Sequence, residues 1–334
     1  MGLITVVLAG VGVLLIALVV QKRWSSARRI AGNLLVSYVA VIFLLGGTEL
    51  FMRYAVADSA TPMQWTLAGK NWIDRYIQRN SLGYRDREWS LEELAARQTV
   101  LVVGDSFTEG WGIDNPADRF SDVLGQMLGD DYAVVNLGLG GTSTLDHLNM
   151  LQDYPYQQPN MIIWQYLLND IYVAAESNGY SWNIPVPEVP PLAQESYLAN
   201  FIYWRFYTPN LYRDPQTGLS QWEWLFNAYD NSYIWGIHHN EIDRLLDYVE
   251  RLDARLVTVI FPNMDDPAGS IPYVDRVAQA IEARGYTDIL KLFDDVAAWD
   301  PAARVVSSRD AHPSAAFNRH VAQRLYDDFF APGL

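Results

Sequence analysis

Thr99-Val-Leu-Val-Val-Gly-Asp-Ser-Phe-Thr-Glu-Gly-Trp-Gly112 decides how the rest of this 334-residue chain is read. Val100 to Val103 make an apolar, mostly β-branched run, the mark of a strand covered on both faces. The run breaks at Gly104-Asp105-Ser106. After a loop dotted with glycine, Pro116 opens an amphipathic helix with Phe120, Val123, Leu124, Met127 and Leu128 on one face. Ser106 therefore falls in the turn behind a core strand, where open α/β sheets hold their ligands. Serine also suits turns for local hydrogen-bonding reasons, so spacing alone leaves a structural and a nucleophilic serine both open.

The same grammar continues outward. Ala133-Val-Val-Asn-Leu137 is a second strand, and Gly138-Leu-Gly-Gly-Thr-Ser-Thr144 follows it. Glycines there let the backbone approach another group, and a free N–H in such a turn can bind an anion. The Gly-x-Gly-x-x-Gly nucleotide pattern is absent. Met161 to Leu167 is a third strand, leading into Leu168-Asn169-Asp170, which puts the Asn169 amide where it can donate to a developing oxyanion. A helix with Ile242, Leu245, Leu246, Val249 and Leu252 on one face, a strand from Arg255, a helix over 274–281 and a strand over 289–293 complete a five-stranded parallel sheet. Near the end stands Ser308-Arg-Asp-Ala-His-Pro-Ser314, before a helix using Phe317, Val321 and Leu325. Of the five histidines, His238 and His239 are adjacent and point apart on a helix. His147 and His320 fall in helices as surface or packing groups. His312 alone lies in a loop beside a carboxylate.

Gly104-Asp105-Ser106-Phe107 resembles the first sequence block of the SGNH (GDSL-type) hydrolases, serine esterases on a flavodoxin-like sheet. Asn136-x-Gly138-x-x-Gly141 resembles the second block, Asn169-Asp170 the third and Asp310-Ala-His312-Pro313 the fifth, in the family's order. The resemblance implies an α/β/α sandwich over 99–330, with Ser106 as nucleophile, His312 as general base and Asp310 as the orienting acid. It also implies an oxyanion hole from the N–H groups of Ser106 and Gly141 with the Asn169 amide, Asp105 and Asp170 in supporting places, and no metal or organic cofactor. Two positions depart from the family pattern. Leu167 stands where the third block has glycine, and Arg309 stands three residues before the histidine, where the acid belongs. Either Asp310 still reaches the imidazole, or a Ser–His pair works with a backbone carbonyl. Asn80-Ser-Leu-Gly-Tyr-Arg-Asp86 resembles the segment that precedes the serine block in SGNH-like bacterial proteins. Arg85 there reads as a surface or interdomain ion-pair residue, with a substrate clamp as the alternative.

Leu3 to Val20 is apolar for a bilayer-spanning length, and a second run extends over 30–52. Lys22, Arg23, Arg28 and Arg29 put four positive charges in the link 21–29 between them and predict that it stays cytoplasmic, leaving both chain ends outside. A charged stretch, rather than a small-residue cleavage site, follows the first run, which argues against a cleaved signal peptide. Residues 53–98 are a connector. The chain has a net charge of −15, and residues after 52 carry 20 basic and 38 acidic groups, net −18. That balance disfavours a nucleic-acid partner and predicts that the soluble part projects away from anionic headgroups. Glu49 reads as a carboxylate near the outer headgroups, with Arg53 nearby, and an intramembrane functional carboxylate is the alternative. The absence of cysteine excludes disulfides and thiolate chemistry.

Over 171–233 the pattern changes to prolines (Pro185, Pro187, Pro190, Pro191) and crowded aromatics, among them Trp182, Tyr197, Trp204, Phe206, Tyr212, Trp222 and Trp224. This is expected to be a partly helical insertion, either a lid or platform over the serine or a small core of its own or a rest on the membrane interface. The expected function is a membrane-anchored serine esterase acting on an O-acyl ester, such as an acetylated glycan or lipid-type ester, on the periplasmic side of a bacterial inner membrane. The alternatives are an O-acyltransferase modifying a cell-envelope polysaccharide, and an inactive SGNH-like subunit docked to a membrane-protein partner.

Overall fold

The computed structural model describes residues 2–21, 25–60, 66–156, 158–183, 188–207 and 213–331. Lys22 and Arg23 of the basic link, and Pro185, Pro187 and Tyr212 of the aromatic segment, lie outside the described residues. The chain divides into two units, Met1–Trp72 with Val186–Asn210, and Ile73–Pro185 with Leu211–Leu334.

The second unit is built on β1 (Gln98–Gly104), β2 (Tyr132–Gly138), β3 (Met161–Leu167), β4 (Arg255–Phe261) and β5 (Ile289–Lys291). All neighbours are parallel, in the order β2-β1-β3-β4-β5. This is the flavodoxin-like order, in which the chain switches direction between β1 and β3 and opens a crevice at their C-terminal ends. Alternation along β1 explains its unbroken apolar run. Val100 and Val102 pack with Phe120, Leu124, Phe317 and Val321 on one face, and Leu101 and Val103 pack with Leu148, Leu245 and Leu246 on the other. The helix expected from Pro116 starts later. Pro116–Asp118 is a single 3-10 turn, Arg119 is extended, and the α-helix runs Phe120–Leu128. Arg119 is drawn inward there, its guanidinium donating to the Asp122 carboxylate and the Arg85 carbonyl. At the C-terminal end an antiparallel ribbon of β6 (Val305–Ser307) and β7 (Asp310–Pro313) precedes the helix Ala315–Leu325. The sequence alone predicts a loop there.

The first unit contains α1 (Gly2–Val20) and α2 (Ser25–Ala55), with Gly12 of α1 lying against the Tyr38 ring of α2. Among the described residues, Arg28–Ala55 is the one helix long and apolar enough to cross a membrane, and the apolar stretch Ala9–Val20 is shorter. The short helix Pro191–Glu195 and the helix Tyr197–Tyr207 belong to this unit.

The aromatic-rich segment therefore divides between the units. Trp182, Trp224 and Tyr229 are core residues of the second unit, where Trp224 stacks on Tyr180 at 5.3 Å and Phe226 stacks on Tyr273 at 4.4 Å. Trp204, which belongs to the first unit, is buried.

Candidate active site

β1 ends at Gly104, and Asp105 turns the chain into a single helical turn, Ser106–Glu109, by accepting the Phe107 N–H at 2.9 Å. Ser106 is the first residue of that turn. The turn nests on the end of β2 because Gly138 has no side chain; a Cβ there would lie 2.2 Å from the Glu109 nitrogen. Asn136 secures the same junction. Its amide donates to the Thr108 carbonyl and the Ser121 hydroxyl, both at 2.7 Å, and its oxygen accepts the Gly138 N–H.

The histidine arrives from the far end of the chain. The helix Ala315–Leu325 shares its core with Phe120–Leu128, and buried Asn318 ties the two. Its oxygen accepts the Phe120 N–H at 3.0 Å, while its amide donates to the Pro313 and Ser314 carbonyls. The β6–β7 ribbon is thereby held beside the Ser106–Glu109 turn. His312 Nε2 lies 2.9 Å from Ser106 Oγ and His312 Nδ1 lies 2.5 Å from Asp310 Oδ1. Residues two apart on a strand share a face, so the acid two positions before the histidine reaches it without a longer loop. Asp310 is 2 % exposed and His312 27 %. The Phe107 and Trp111 rings flank the imidazole at 5.3 and 6.2 Å, and Phe107 meets Phe261 edge-on.

Leu167, at the missing glycine, has an ordinary extended backbone (φ −117°, ψ 147°) and a buried side chain, so the end of β3 requires no glycine. Asn169 lies in the 3-10 turn Leu168–Ile171, with its side-chain amide close enough to the Asp105 carboxylate to favour its charge. Burial pushes the Asp105 pKa up, while the Phe107 N–H, the His312 charge and the Gln165 and Asn169 amides pull against it. Asp170 is fully buried, accepts the Thr144 hydroxyl at 3.0 Å, and has its pKa raised well above the usual range by burial and then by Asp105. His147 Nδ1, 3.4 Å from Asp170, takes a hydrogen bond from Trp164 Nε1, and burial drops its pKa to about 3. His147 is thus a neutral packing group.

Gly141 (φ +80°) stands in the β2 loop beside Gly140, and a Cβ on Gly140 would lie 3.6 Å from Ser106 Cβ. The Gly140 N–H donates to Glu109 Oε2 at 2.8 Å, and Arg79 donates to Glu109 Oε1 at 2.6 Å. Glu109 is 1 % exposed, and the sequence reading missed it. A glutamate between Thr108 and Gly110 looks like loop polarity until Arg79 and Gly140 are seen converging on it. Arg85 is corrected. It is neither a surface ion pair nor a clamp, but a buried brace whose guanidinium donates to the Gly110 and Ile113 carbonyls at 2.7 and 2.6 Å. Burial, with Arg119 alongside, pulls its pKa to about 10.

Among known proteins, residues 102–320 match the model of the GDSL-like Lipase/Acylhydrolase family. No match was found among curated proteins. Similar solved structures include TesA (15 % identity, 70 % of this chain and 99 % of that one, TM-score 0.44). Another is the acetyl xylan esterase AlAXEase (14 %, 70 % and 100 %, TM-score 0.43). A third is a carbohydrate acetylesterase family member from Sinorhizobium meliloti (17 %, 69 % and 96 %, TM-score 0.38).

Proposed function

Because the chain belongs to the GDSL-like lipase/acylhydrolase family and is an ester hydrolase, we propose that Ser106, His312 and Asp310 carry out its acyl transfer. The observation that carries this reading is the continuous row Ser106 Oγ, His312 Nε2, His312 Nδ1 and Asp310 Oδ1, with links of 2.9 and 2.5 Å. With its Nδ1–H given to Asp310, the imidazole presents an unprotonated Nε2 to the serine hydroxyl. His312 takes that proton as Oγ attacks the ester carbonyl, then returns it to the leaving alcohol. Water repeats the sequence and releases the acid.

The tetrahedral oxyanion is held by the N–H groups of Ser106 and Gly141 and by Asn169. The Gly140 N–H is already committed to Glu109, so the loop's donor is Gly141. An amide carries two N–H bonds, which lets Asn169 hold Asp105 with one and face the oxyanion with the other. Asp105 and Asp170 fix the turns bearing Ser106 and Asn169.

Two transmembrane helices, 3–20 and 30–52, anchor the enzyme, with the link 21–29 cytoplasmic and the catalytic domain, 99–330, outside the inner membrane. The long apolar helix Arg28–Ala55 and the basic Arg28 and Arg29 at its start support this placement. The substrate is an O-acyl ester, of the acetylated-glycan or lipid type. Release of free acetate from an acetylated substrate without any glycan acceptor, lost in Ser106→Ala, is the expected result. Release that requires an acceptor and leaves the acyl group on it would identify a transferase instead, and no release from either acetylated or long-chain esters would return the chain to a scaffold role.

A further inference from the structure

Glu49 is the sole acid before residue 58, and its carboxylate is not spent on solvent. It accepts the Tyr197 N–H at 3.0 Å, the Leu198 N–H at 2.9 Å and the Ser196 hydroxyl at 2.8 Å, and pairs with Arg53 at 3.0 Å. Those N–H groups open the helix Tyr197–Tyr207, so a carboxylate from α2 caps a helix almost 150 residues further along the chain. Arg53 adds a hydrogen bond to the Glu195 carbonyl at 3.0 Å and lies 4.8 Å over the Tyr197 ring. Asn71 closes the joint, donating to the Arg53 and Val56 carbonyls and accepting from the Tyr197 hydroxyl. The joint fixes the depth and roll of the 197–207 helix against α2.

The fixed helix has two unlike sides. Asn200 and Trp204 face inward and are buried, with Asn200 accepting the Leu67 N–H. Phe201, Ile202 and Phe206 face outward, Phe206 at 78 % exposure, with Arg205 among them, and Leu192 of the preceding short helix is exposed as well. Aromatic and aliphatic residues grouped with an arginine suit the boundary between lipid headgroups and acyl chains. The placement along α2 agrees. Ile30 to Thr48 holds no charged residue, and its length of about 28 Å at 1.5 Å per residue nearly matches a hydrocarbon core. Glu49 then stands at the edge of that core. Charge is segregated in the same sense. The unit containing α2 has seven basic and four acidic residues, net +3, against 17 and 35, net −18, in the catalytic unit.

We propose that Leu192, Phe201, Ile202 and Phe206 sink into the headgroup–acyl boundary of the bilayer, making 188–207 a membrane-interface element docked on α2 through Glu49. The inference rests on α2 being a membrane span. It gives this part of the aromatic segment a lipid contact rather than a contact with substrate.

The chain has no cysteine, so single-cysteine variants of the full-length protein can be labelled cleanly with an environment-sensitive fluorophore. In vesicles of phosphatidylethanolamine and phosphatidylglycerol, labels on Ile202→Cys and Phe206→Cys should be blue-shifted and quenched by lipids spin-labelled near the headgroup. A label on Leu44→Cys should be quenched by lipids spin-labelled deep in the chain, and one on Asp130→Cys by neither. Quenching at 44 with none at 202 and 206 would overturn the interface element while sparing the anchor. No quenching at 44 would remove the anchor and the inference together. In Glu49→Leu, with its carboxylate gone, the shallow quenching at 206 should fall several-fold while hydrolysis of a small soluble ester continues. Unchanged quenching at 206 would remove Glu49 from the docking.

Discussion

Asp310 holds His312 through one oxygen, its Oδ1 accepting the imidazole Nδ1–H at 2.5 Å and the His312 backbone N–H at 3.1 Å. The backbone bond fixes where the carboxylate stands, and the side-chain bond fixes how the ring turns. A carboxylate three residues earlier would need a loop to bring it back. Here the alternation of β7 supplies the same orientation in two residues.

Asp310→Asn should lower kcat by roughly 10³–10⁴-fold by favouring the wrong imidazole tautomer, with the folded state intact. Arg309→Ala, at the position where the family acid would stand, should leave kcat near wild type. A large loss at 309 with little at 310 would reverse the assignment. Steady-state kinetics on a chromogenic ester, with circular dichroism as the folding control, decides between them.

Asn169→Ala should reduce kcat by about 10²–10³-fold, the usual effect of one oxyanion donor, while KM changes little. Thermal unfolding run beside the kinetics separates this from collapse of the turn after β3.

Glu109 braces the loop that carries Gly141. Glu109→Gln keeps an acceptor for the Gly140 N–H and should retain much of the wild-type kcat. Glu109→Ala removes that acceptor and with it a hydrogen bond to a charged group, worth about 1.5–3 kcal/mol. Arg79 is over one-third exposed and can rehydrate. The alanine variant should therefore show a lower Tm and a kcat well below that of the glutamine variant, with the KM ratio near one.

Asp170 supplies a pH signature. Its folded pKa lies above the unfolded value, so the folded state binds the extra proton. The stability it contributes is complete below the unfolded pKa of about 4 and is lost as pH rises through the folded pKa. His147 has the opposite slope. With a folded pKa of about 3, its contribution is complete above the unfolded value of about 6.5 and is lost as pH falls. Asp170→Asn removes only the first dependence. Chemical denaturation of wild type and variant at pH 5 and pH 8 should show the variant losing less stability on the alkaline side, with the His147 contribution cancelling in the comparison. Equal losses would mean that Asp170 titrates normally.

The sheet was readable because burial on both faces writes itself as apolar runs: Val100 to Val103 and Met161 to Leu167 are uniformly buried strands. Ser106 and His312 could be singled out because each sits just past a core element among residues that break it. What could not be read is whatever depends on a distant partner. Arg85 is charged and follows a turn, yet it is buried against the Gly110 and Ile113 carbonyls. Glu109 needs Arg79, 30 residues earlier, before its burial makes sense. The β6–β7 ribbon is too short for alternation to stand out, so the two-residue spacing of Asp310 and His312 reads as a departure from the family pattern until the strand brings both side chains to one face. The aromatic segment looked continuous because composition does not record which unit each ring packs in.

The most direct test of the catalytic claim is to treat the full-length protein with a fluorophosphonate and locate the adduct by peptide mass spectrometry. A single adduct on Ser106 is expected, absent in Ser106→Ala and strongly slowed in His312→Ala. A folded wild-type enzyme that hydrolyses ester but carries its adduct on another residue, or takes none, would contradict it.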